Sequence, residues 1–170
     1  MSISGVILAA GQGTRMKSSL PKVLHNVLGI PMIIYAQEAI SHFDNKYVVV
    51  GHQSEKVSSI LFETFIPVVQ EEQLGTGHAI STLLESSEFD SDQSQYLVVI
   101  PGDVPLIRKK DIDKLVNDVV ESNAVIGLIS ANVQNPFGYG RIVKNNEEFE
   151  KIIEESDASE TEKLIDEINS

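Results

Sequence analysis

Short apolar runs alternate along this sequence with longer segments of helical spacing, and this alternation constrains the fold more than any other feature. The runs are rich in Val, Ile and Leu, as strands buried on both faces of a parallel sheet are. Parallel strands need a crossover connection, which is usually a helix. We therefore predict an α/β fold with a mostly parallel sheet and helices on both faces.

The individual elements follow from this pattern. The predicted strands are Ile3–Leu8, Lys46–Val50, Ile66–Gln70, Gln95–Ile100 and Ala124–Ala131. The predicted helices are Met32–His42, Ser54–Phe65 with Ser54 as its N-terminal cap, a helix beginning at His78–Leu84, and Asp111–Ser122. Ligands of such sheets bind at the carboxyl ends of the strands, so we expect the functional loops to follow Leu8, Gln70 and Ile100.

Composition excludes several classes of protein. The chain has 170 residues, enough for one domain, and 42% of them are hydrophobic. Apolar runs near 18 residues and the features of a signal peptide are both absent, so we expect no membrane span and a cytoplasmic location. The absence of cysteine excludes disulfides, thiolate metal sites and a cysteine nucleophile.

The charge balance argues against nucleic acid as a partner. Lys and Arg number 13 against 25 Asp and Glu, a formal net charge of −12, whereas affinity for a phosphate backbone depends on cations. The first 25 residues nevertheless contain Arg15, Lys17 and Lys22 and no acid. This local excess of positive charge lies around a glycine-rich loop, where a polyphosphate would need it.

That loop, Ala9–Arg15, follows the first predicted strand. Its small residues let successive backbone N–H groups surround an anion, Arg15 can bind two phosphate oxygens, and Lys22 adds a point charge. The spacing matches neither the dinucleotide pattern G-x-G-x-x-G nor the P-loop pattern G-x-x-x-x-G-K-[ST]. The alternative interpretation of such a loop is a tight turn without a ligand.

The two other strand-end loops also contain polar candidates. Asp103 ends an apolar strand and could bind Mg²⁺ or cap the next segment. Gln73 has a donor and an acceptor that could read a base edge, and the glycines at 75 and 77 allow close backbone approach. His78 is more simply explained as a structural group, and the other three histidines, His25, His42 and His52, are scattered in a way that indicates no metal cluster.

Five motifs, in order, resemble one enzyme family. They are LAAGQGTRMKSSLPKVLHNVLGIPM, EEQLGTGHA, GDVPL, NPFGYGRIV and EESDASETEKLIDEIN, and the match runs from Ile3 to Asn169. The family is the uridylyltransferase domain of the bifunctional enzyme that makes UDP-N-acetylglucosamine from N-acetylglucosamine 1-phosphate and UTP. The resemblance implies a Rossmann-like nucleotidyltransferase fold, which agrees with the strand and helix pattern.

The resemblance also implies a role for individual residues. The uridine would be bordered by Leu8, Ala9, Ala10 and Gly11, and the UTP phosphates would be bound by Gly13, Arg15 and Lys22. The uracil and ribose would be contacted by Gln73, Gly75 and Thr76, and Mg²⁺ by Asp103. The amino sugar would be held by Gly140, Glu154 and Asn169, although Glu154 lies beside Glu155 in an acidic stretch that could simply be solvated.

The implied reaction needs no protein nucleophile. A phosphate oxygen of the sugar phosphate attacks the α-phosphorus of UTP, and pyrophosphate leaves. Catalysis then consists of positioning and of charge neutralisation by Mg²⁺, Arg15 and Lys22, with Asp103 as the metal ligand.

We expect the 170 residues to form one nucleotidyltransferase domain that is incomplete at its C-terminal end. Family members continue with an asparagine that is a second metal ligand and with a left-handed β-helix acetyltransferase, so we expect weak activity from this chain alone and oligomers only with that region. Two alternatives remain: a nucleotide- or sugar-nucleotide-binding module without turnover, and a related guanylyl- or cytidylyltransferase. The QLGTGHA and EIN motifs argue against the second alternative.

Overall fold

The structure is a computed structural model, and it describes residues 1–11, 13, 16–146 and 148–169. The chain divides into two compact units, Met1–Asp113 and Lys114–Ser170.

In its described residues, the first unit contains six strands and three complete helices. In chain order they are β1 (Ile3–Ala9), a 3₁₀ turn (Lys22–Leu24), β2 (Asn26–Val27), β3 (Ile30–Pro31), α1 (Met32–Ile40), β4 (Asn45–Val50), α2 (Ser54–Ser58), β5 (Ile66–Val69), α3 (Thr76–Leu84) and β6 (Tyr96–Pro101). Helix α4 (Lys109–Ser122) begins in this unit and ends in the second.

Four of these strands form a parallel sheet in the order β5-β4-β1-β6. The central position of β1 explains its composition, because Val6 and Ile7, which point to opposite faces, are both fully buried. On β4, Val48, Val49 and Val50 are also fully buried. The predicted parallel α/β fold is therefore confirmed, and the carboxyl ends of β1, β4, β5 and β6 lie along one edge of the sheet.

Helices pack on both faces of this sheet. On one face α1 lies so close to β1 that a Cβ atom at Gly5 would come within 2.8 Å of Ile40 and 2.9 Å of Phe43. On the other face, side chains of β1 and β4 form an apolar cluster with Ala79 and Leu83 of α3. Fully burying one such aliphatic side chain stabilises the fold by roughly 1.5–3 kcal/mol.

Helix α2 is much shorter than predicted. The predicted helix Ser54–Phe65 ends at Ser58, and its N-cap is Gln53, in a left-handed conformation with φ of 56°, rather than Ser54. The extension is replaced by a tertiary contact, since the backbone N–H of Phe62 donates to Oε1 of the buried Gln37 at 2.6 Å. Local spacing alone could not reveal that competing hydrogen bond.

The second unit is built on an antiparallel sheet in the order β7-β10-β8-β9. The strands are β7 (Ser130–Asn132), β8 (Arg141–Asn145), β9 (Glu148–Ile153) and β10 (Glu167–Asn169), and a 3₁₀ turn (Glu162–Leu164) precedes β10. This sheet was not predicted, because its strands are short and polar.

The predicted strand Ala124–Ala131 is largely wrong. Only its last two residues are extended, and they pair antiparallel with β10. No described strand pairs with residues 124–129, and Val125 and Ile126 are 102% and 74% exposed. An apolar, β-branched sequence favours a strand only where a neighbour offers a pleated surface to pack on.

None of the helices in the described part of the chain combines the length and the apolar character needed to cross a bilayer.

Candidate functional site

Two of the predicted site residues, Lys22 and Asp103, form an ion pair. Lys22 begins the 3₁₀ turn behind Pro21, and Asp103 lies in the loop after β6. Their side chains are 43% and 26% exposed, so both remain open to a ligand. Lys22, which is predicted to bind phosphate, and Asp103, which is predicted to bind the metal, are thus in contact at the carboxyl edge of the sheet.

Close backbone packing holds this pair in place. The N–H of Gly102 donates to the carbonyl of Leu8 at 2.9 Å. A Cβ atom at Gly102 would come within 3.0 Å of the Val23 side chain and 3.1 Å of the Leu8 carbonyl oxygen. A larger residue at 102 would therefore separate the end of β6 from β1 and from the turn that contains Lys22.

The glycine-rich loop also contacts Lys22. Gly13 has φ of +62°, and a Cβ atom there would lie 2.8 Å from the Cβ of Lys22, so glycine is needed for both conformation and space. Gly11 is exposed, and a Cβ atom at this position would meet no described atom within 4 Å. Arg15, the other predicted phosphate ligand, lies outside the described residues.

Gln73 lies beside the end of β1. A Cβ atom at Gly51 would come within 2.8 Å of the Ala10 carbonyl oxygen and 3.1 Å of the Gln73 amide nitrogen. Two of the residues predicted to contact the uridine are therefore neighbours across Gly51. Sequence reasoning missed Gly51, although a glycine directly after the buried strand KYVVV is a signal for this position.

The loop that contains Gln73 is closed at its base by a hydrogen bond. The buried Gln70 donates from Nε2 to Nδ1 of His78 at 2.7 Å. The backbone N–H of Gln70 donates to the Val50 carbonyl at 2.7 Å. Between these anchors Gly75 has φ of +105°, a conformation suited to glycine, and Thr76 begins α3.

The remaining predicted nucleotide residues belong to β1 and its continuation. Leu8 packs against the apolar cluster on the α3 face of the sheet. Ala9 and Ala10 are 3% and 7% exposed. Because these side chains are small, a ligand at the carboxyl edge of the sheet could approach the backbone of Ala9 and Ala10 closely.

The three residues predicted for the amino sugar lie at one end of the second sheet. Arg141 of β8 pairs with Ile153 of β9 and with Ile168 of β10, and together these form one row across three strands. Because the strands are antiparallel, the residues just beyond this row on its shared side are Gly140, Glu154 and Asn169.

Two of these three residues are in contact. The N–H of Asn169 donates to the Gly140 carbonyl at 3.2 Å. A Cβ atom at Gly140 would lie 2.5 Å from Oδ1 of Asn169, so glycine is required for the amide to occupy this position. Glu154 is exposed, and no side-chain hydrogen bond or ion pair joins it to another described residue.

An ion pair between a buried arginine and a partly exposed glutamate, which the sequence reasoning missed, supports this end of the sheet. Arg141 is 1% exposed; its guanidinium donates to the Tyr139 carbonyl and, at 2.6 Å, to Oε2 of Glu155. The same oxygen accepts the N–H of Gly138 at 3.1 Å. The hydrogen bond from Gly138, followed by that from Arg141, holds the pKa of the Glu155 carboxyl below its ordinary value.

Asp103 fits the role of a ligand for a phosphate-bound metal. Among the described residues, no three His, Asp or Glu side chains converge on one point, so an all-protein cage is not formed there. Mg²⁺ is usually bound by one or two carboxylates together with substrate phosphates and water. A single, partly exposed carboxylate beside a lysine that is predicted to bind phosphate is consistent with that mode.

Several known proteins are similar to this chain. Bifunctional protein GlmU of Streptococcus equi subsp. zooepidemicus is 43% identical over 168 residues, with 97% of this chain covered. GlmU of Desulfitobacterium hafniense is 41% identical over 169 residues. This chain covers only 36% of the length of each of these relatives.

Solved structures show the same fold. A Bacillus anthracis protein described as a glucose-1-phosphate thymidylyltransferase and solved with sucrose superposes with a TM-score of 0.72 at 21% identity, with 99% of this chain and 69% of that chain covered. Rv0371c of Mycobacterium tuberculosis in complex with manganese has a TM-score of 0.56 at 20% identity, with 72% of this chain and 61% of that chain covered.

The family assignment rests on a family model that matches most of the chain. Residues 5–163 match the family described as the MobA-like NTP transferase domain. This match and the GlmU relatives confirm the resemblance found in the motifs and the predicted nucleotidyltransferase class. The chain therefore belongs to the MobA-like NTP transferase domain family.

Proposed function

We propose that this domain transfers UMP from UTP to N-acetylglucosamine 1-phosphate, giving UDP-N-acetylglucosamine and pyrophosphate in a Mg²⁺-dependent reaction. The observation that carries the proposal is the pairing of Lys22 with Asp103 at the carboxyl edge of the sheet, next to Gly13. The five sequence motifs and the GlmU relatives support the choice of substrates.

Lys22 and Asp103 have separate tasks in this mechanism. Lys22 binds the triphosphate and neutralises the negative charge that develops on the leaving pyrophosphate. Once Lys22 has a phosphate as its partner, the Asp103 carboxylate is free to bind the metal. Mg²⁺, when bound, supplies further charge neutralisation and helps to align the triphosphate. Arg15 is a third charge-neutralising group in the proposal.

Hydrogen-bonding groups provide recognition at the two ends of the substrates. The Gln73 amide has one donor and one acceptor group that complement the N3–H and carbonyl edge of uracil. In the second unit, the Asn169 amide and the Glu154 carboxylate can hydrogen-bond to acetamido and hydroxyl groups of the sugar, and Gly140 leaves space beside Asn169. These residue types suit an uncharged sugar ring.

The test is a substrate panel applied to the 170-residue chain and, where the protein is longer, to its whole length. Each is incubated with UTP, CTP, GTP or dTTP and with several sugar 1-phosphates, with and without Mg²⁺, and pyrophosphate release is measured. We expect the highest kcat/KM for UTP with N-acetylglucosamine 1-phosphate. A preference for another pair would identify a related transferase, and nucleotide binding without pyrophosphate release by either form would identify a binding module.

The same assay tests the metal ligand. Asp103→Asn keeps the size of the side chain but removes its charge, so a higher Mg²⁺ concentration should be needed for half-maximal activity. Asp90→Asn is the matched control, because Asp90 is an exposed carboxylate outside the site. Identical Mg²⁺ titrations of the Asp103→Asn variant and the unmodified protein would contradict the metal role.

A further inference from the structure

We propose that Arg141 and Glu155 are positioning residues for the amino-sugar substrate. Their ion pair holds the turn 136–140 against β9 and thereby sets the relative positions of Gly140, Glu154 and Asn169. This inference rests on the proposed function and assigns a role to two residues that do not themselves touch the sugar.

The sequence positions of the pair make this coupling direct. Arg141 follows Gly140, and Glu155 follows Glu154, so each member of the ion pair is the immediate neighbour of a predicted sugar ligand. Glu155 also accepts the N–H of Gly138, which has φ of +85°. A shift of the Glu155 carboxylate would therefore move the turn before Gly140 and the backbone at Glu154 together.

Asn169 is connected to the same network through the backbone. Its N–H donates to the Gly140 carbonyl, and its Oδ1 lies 2.5 Å from the position that a Cβ atom at residue 140 would take. Arg141 also donates to the Tyr139 carbonyl, on the other side of Gly140. The two peptide units around Gly140 are thus held from both sides, and the side chain of Asn169 rests on them.

Stability alone is a poor explanation for this ion pair. Arg141 is 1% exposed, and its Nε–H is buried without a hydrogen-bond partner among the described residues. Replacing a buried ion pair by apolar side chains of similar volume is often neutral or stabilising. A reactant displaced by about 1 Å can lower the rate by about 10²-fold. Precise placement of the sugar ligands is the benefit that offsets the cost of burying this charge.

Another ion pair on the same sheet provides a matched control. Lys144 of β8 binds Glu167 of β10 at 2.5 Å, on the opposite side of the row formed by Arg141, Ile153 and Ile168. It joins the same two kinds of charge, and the Lys144 side chain is 43% exposed. Removing this pair tests whether the loss of an ion pair elsewhere in the sheet also changes KM for the sugar phosphate.

The experiment compares steady-state kinetics of the full-length protein and its variants. We expect Glu155→Ala and Arg141→Met to raise KM for N-acetylglucosamine 1-phosphate about tenfold while KM for UTP stays within twofold. Glu155→Gln should have a smaller effect, because its amide oxygen can still accept from Gly138 and Arg141. Lys144→Met and Glu167→Gln should leave both KM values unchanged.

Hydrogen exchange gives a second measurement that does not depend on turnover. In Glu155→Ala we expect the backbone amides of Gly138 and Asn169 to exchange at least tenfold faster, since their acceptors are lost or displaced. Lys144→Met should leave the exchange of these two amides unchanged. Unchanged exchange in Glu155→Ala would overturn the positioning role even if the variant is active.

The outcomes separate this inference from the function on which it rests. An unmodified protein that releases no pyrophosphate with UTP and N-acetylglucosamine 1-phosphate overturns both. An active unmodified protein whose Glu155→Ala and Arg141→Met variants keep both KM values, or raise both equally, overturns only the positioning role.

Discussion

At the scale of single residues, Lys22 places a local positive charge in a chain whose net charge of −12 repels anions. Lys22 forms an ion pair with Asp103, and both side chains are partly exposed. A polyphosphate can therefore reach Lys22 and take the place of that partner. The proposed role of Lys22 is measurable by removing its charge.

We predict that Lys22→Ala lowers kcat/KM of the full-length protein about two orders of magnitude. This corresponds to about 3 kcal/mol of lost transition-state stabilisation, the scale for one preorganised charge-stabilising group. The measurement is initial rates with UTP as the varied substrate. Lys109→Ala is the control, since Lys109 pairs with Asp113 outside the site. An unchanged kcat/KM for Lys22→Ala would rule out its phosphate role.

Asp92 is a charged residue with a structural task. Its carboxylate accepts hydrogen bonds from the buried Ser4, from the backbone N–H of Ser94 at 2.7 Å and from the Tyr47 hydroxyl at 3.0 Å. Partial burial opposes its ionisation, but these hydrogen bonds hold its pKa below the ordinary value of 3.8. Burial, with the bond to Asp92, raises the pKa of Tyr47 to about 12.

We predict that Asp92→Asn destabilises the protein in a pH-dependent way. A carboxyl whose pKa is lowered by folding contributes its full stabilisation above 3.8 and loses it as the pH falls through the lower, folded value. Asp92→Asn should thus reduce the free energy of unfolding by about 1–2 kcal/mol at pH 7 and by progressively less below pH 3.8. Urea unfolding across this range measures the difference, with the exposed Asp90→Asn as control. A pH-independent difference would contradict the assignment.

At the scale of elements, the local apolar pattern predicted the secondary structure of most segments. It failed where a contact with a residue distant in sequence determines the conformation. The four parallel strands and helices α1, α3 and α4 were predicted to within a few residues, because their apolar spacing is local information. Helix α2 was overestimated, since the chain after Ser58 bonds to Gln37. Substitutions in one turn and at one hydrogen bond that closes a loop test the contribution of such features.

The hairpin between β2 and β3 has a strained turn. Leu28 and Gly29 have φ of 52° and 86°, and Leu28 is 94% exposed. A leucine in the left-handed region loses about 1–2 kcal/mol, and Asn-Gly is the preferred pair in such turns. We predict that Leu28→Asn raises the free energy of unfolding by about 1 kcal/mol, measured by urea unfolding. Leu106→Asn, at an exposed position with ordinary φ, should give no such gain.

The hydrogen bond from Gln70 to His78 closes the loop that contains Gln73. Without it the Gln73 amide, the proposed reader of the base, would lose its fixed position near Ala10. We predict that Gln70→Leu raises KM for UTP several-fold and leaves KM for the sugar phosphate within twofold, as measured by steady-state kinetics. Gln93→Leu, at an exposed position, is the control. Equal changes in both KM values would indicate a general loss of structure instead.

At the scale of the whole molecule, the net charge of −12 means that the excess negative side chains repel one another and destabilise the folded state. Most of the described ion pairs are partly exposed, and each exposed pair contributes only about 0–1 kcal/mol. Added salt should screen the repulsion more than it weakens these pairs, because the Debye length is about 10 Å at 0.1 M.

We therefore predict that raising NaCl from about 20 to about 300 mM at pH 7 increases Tm by roughly 3 °C, the equivalent of about 1 kcal/mol for a chain of this size. Differential scanning calorimetry measures the shift. Near pH 4.6, the sequence isoelectric point, the increase should disappear because the net repulsion is gone. A lower Tm in salt at pH 7 would mean that ion pairs outweigh the repulsion.

The amino-acid order alone was enough to establish the parallel α/β class, the three strand-end loops and the motifs that contain Lys22, Gln73 and Asp103. Each of these depends on spacing along the chain, which buried strands and amphipathic helices express directly. Tertiary contacts were required for Gly51 beside Ala10, for the ion pair of Arg141 with Glu155, and for the absence of strand pairing at residues 124–129 among the described residues. These features depend on groups distant in sequence coming within a few ångströms, and no local pattern encodes such an approach.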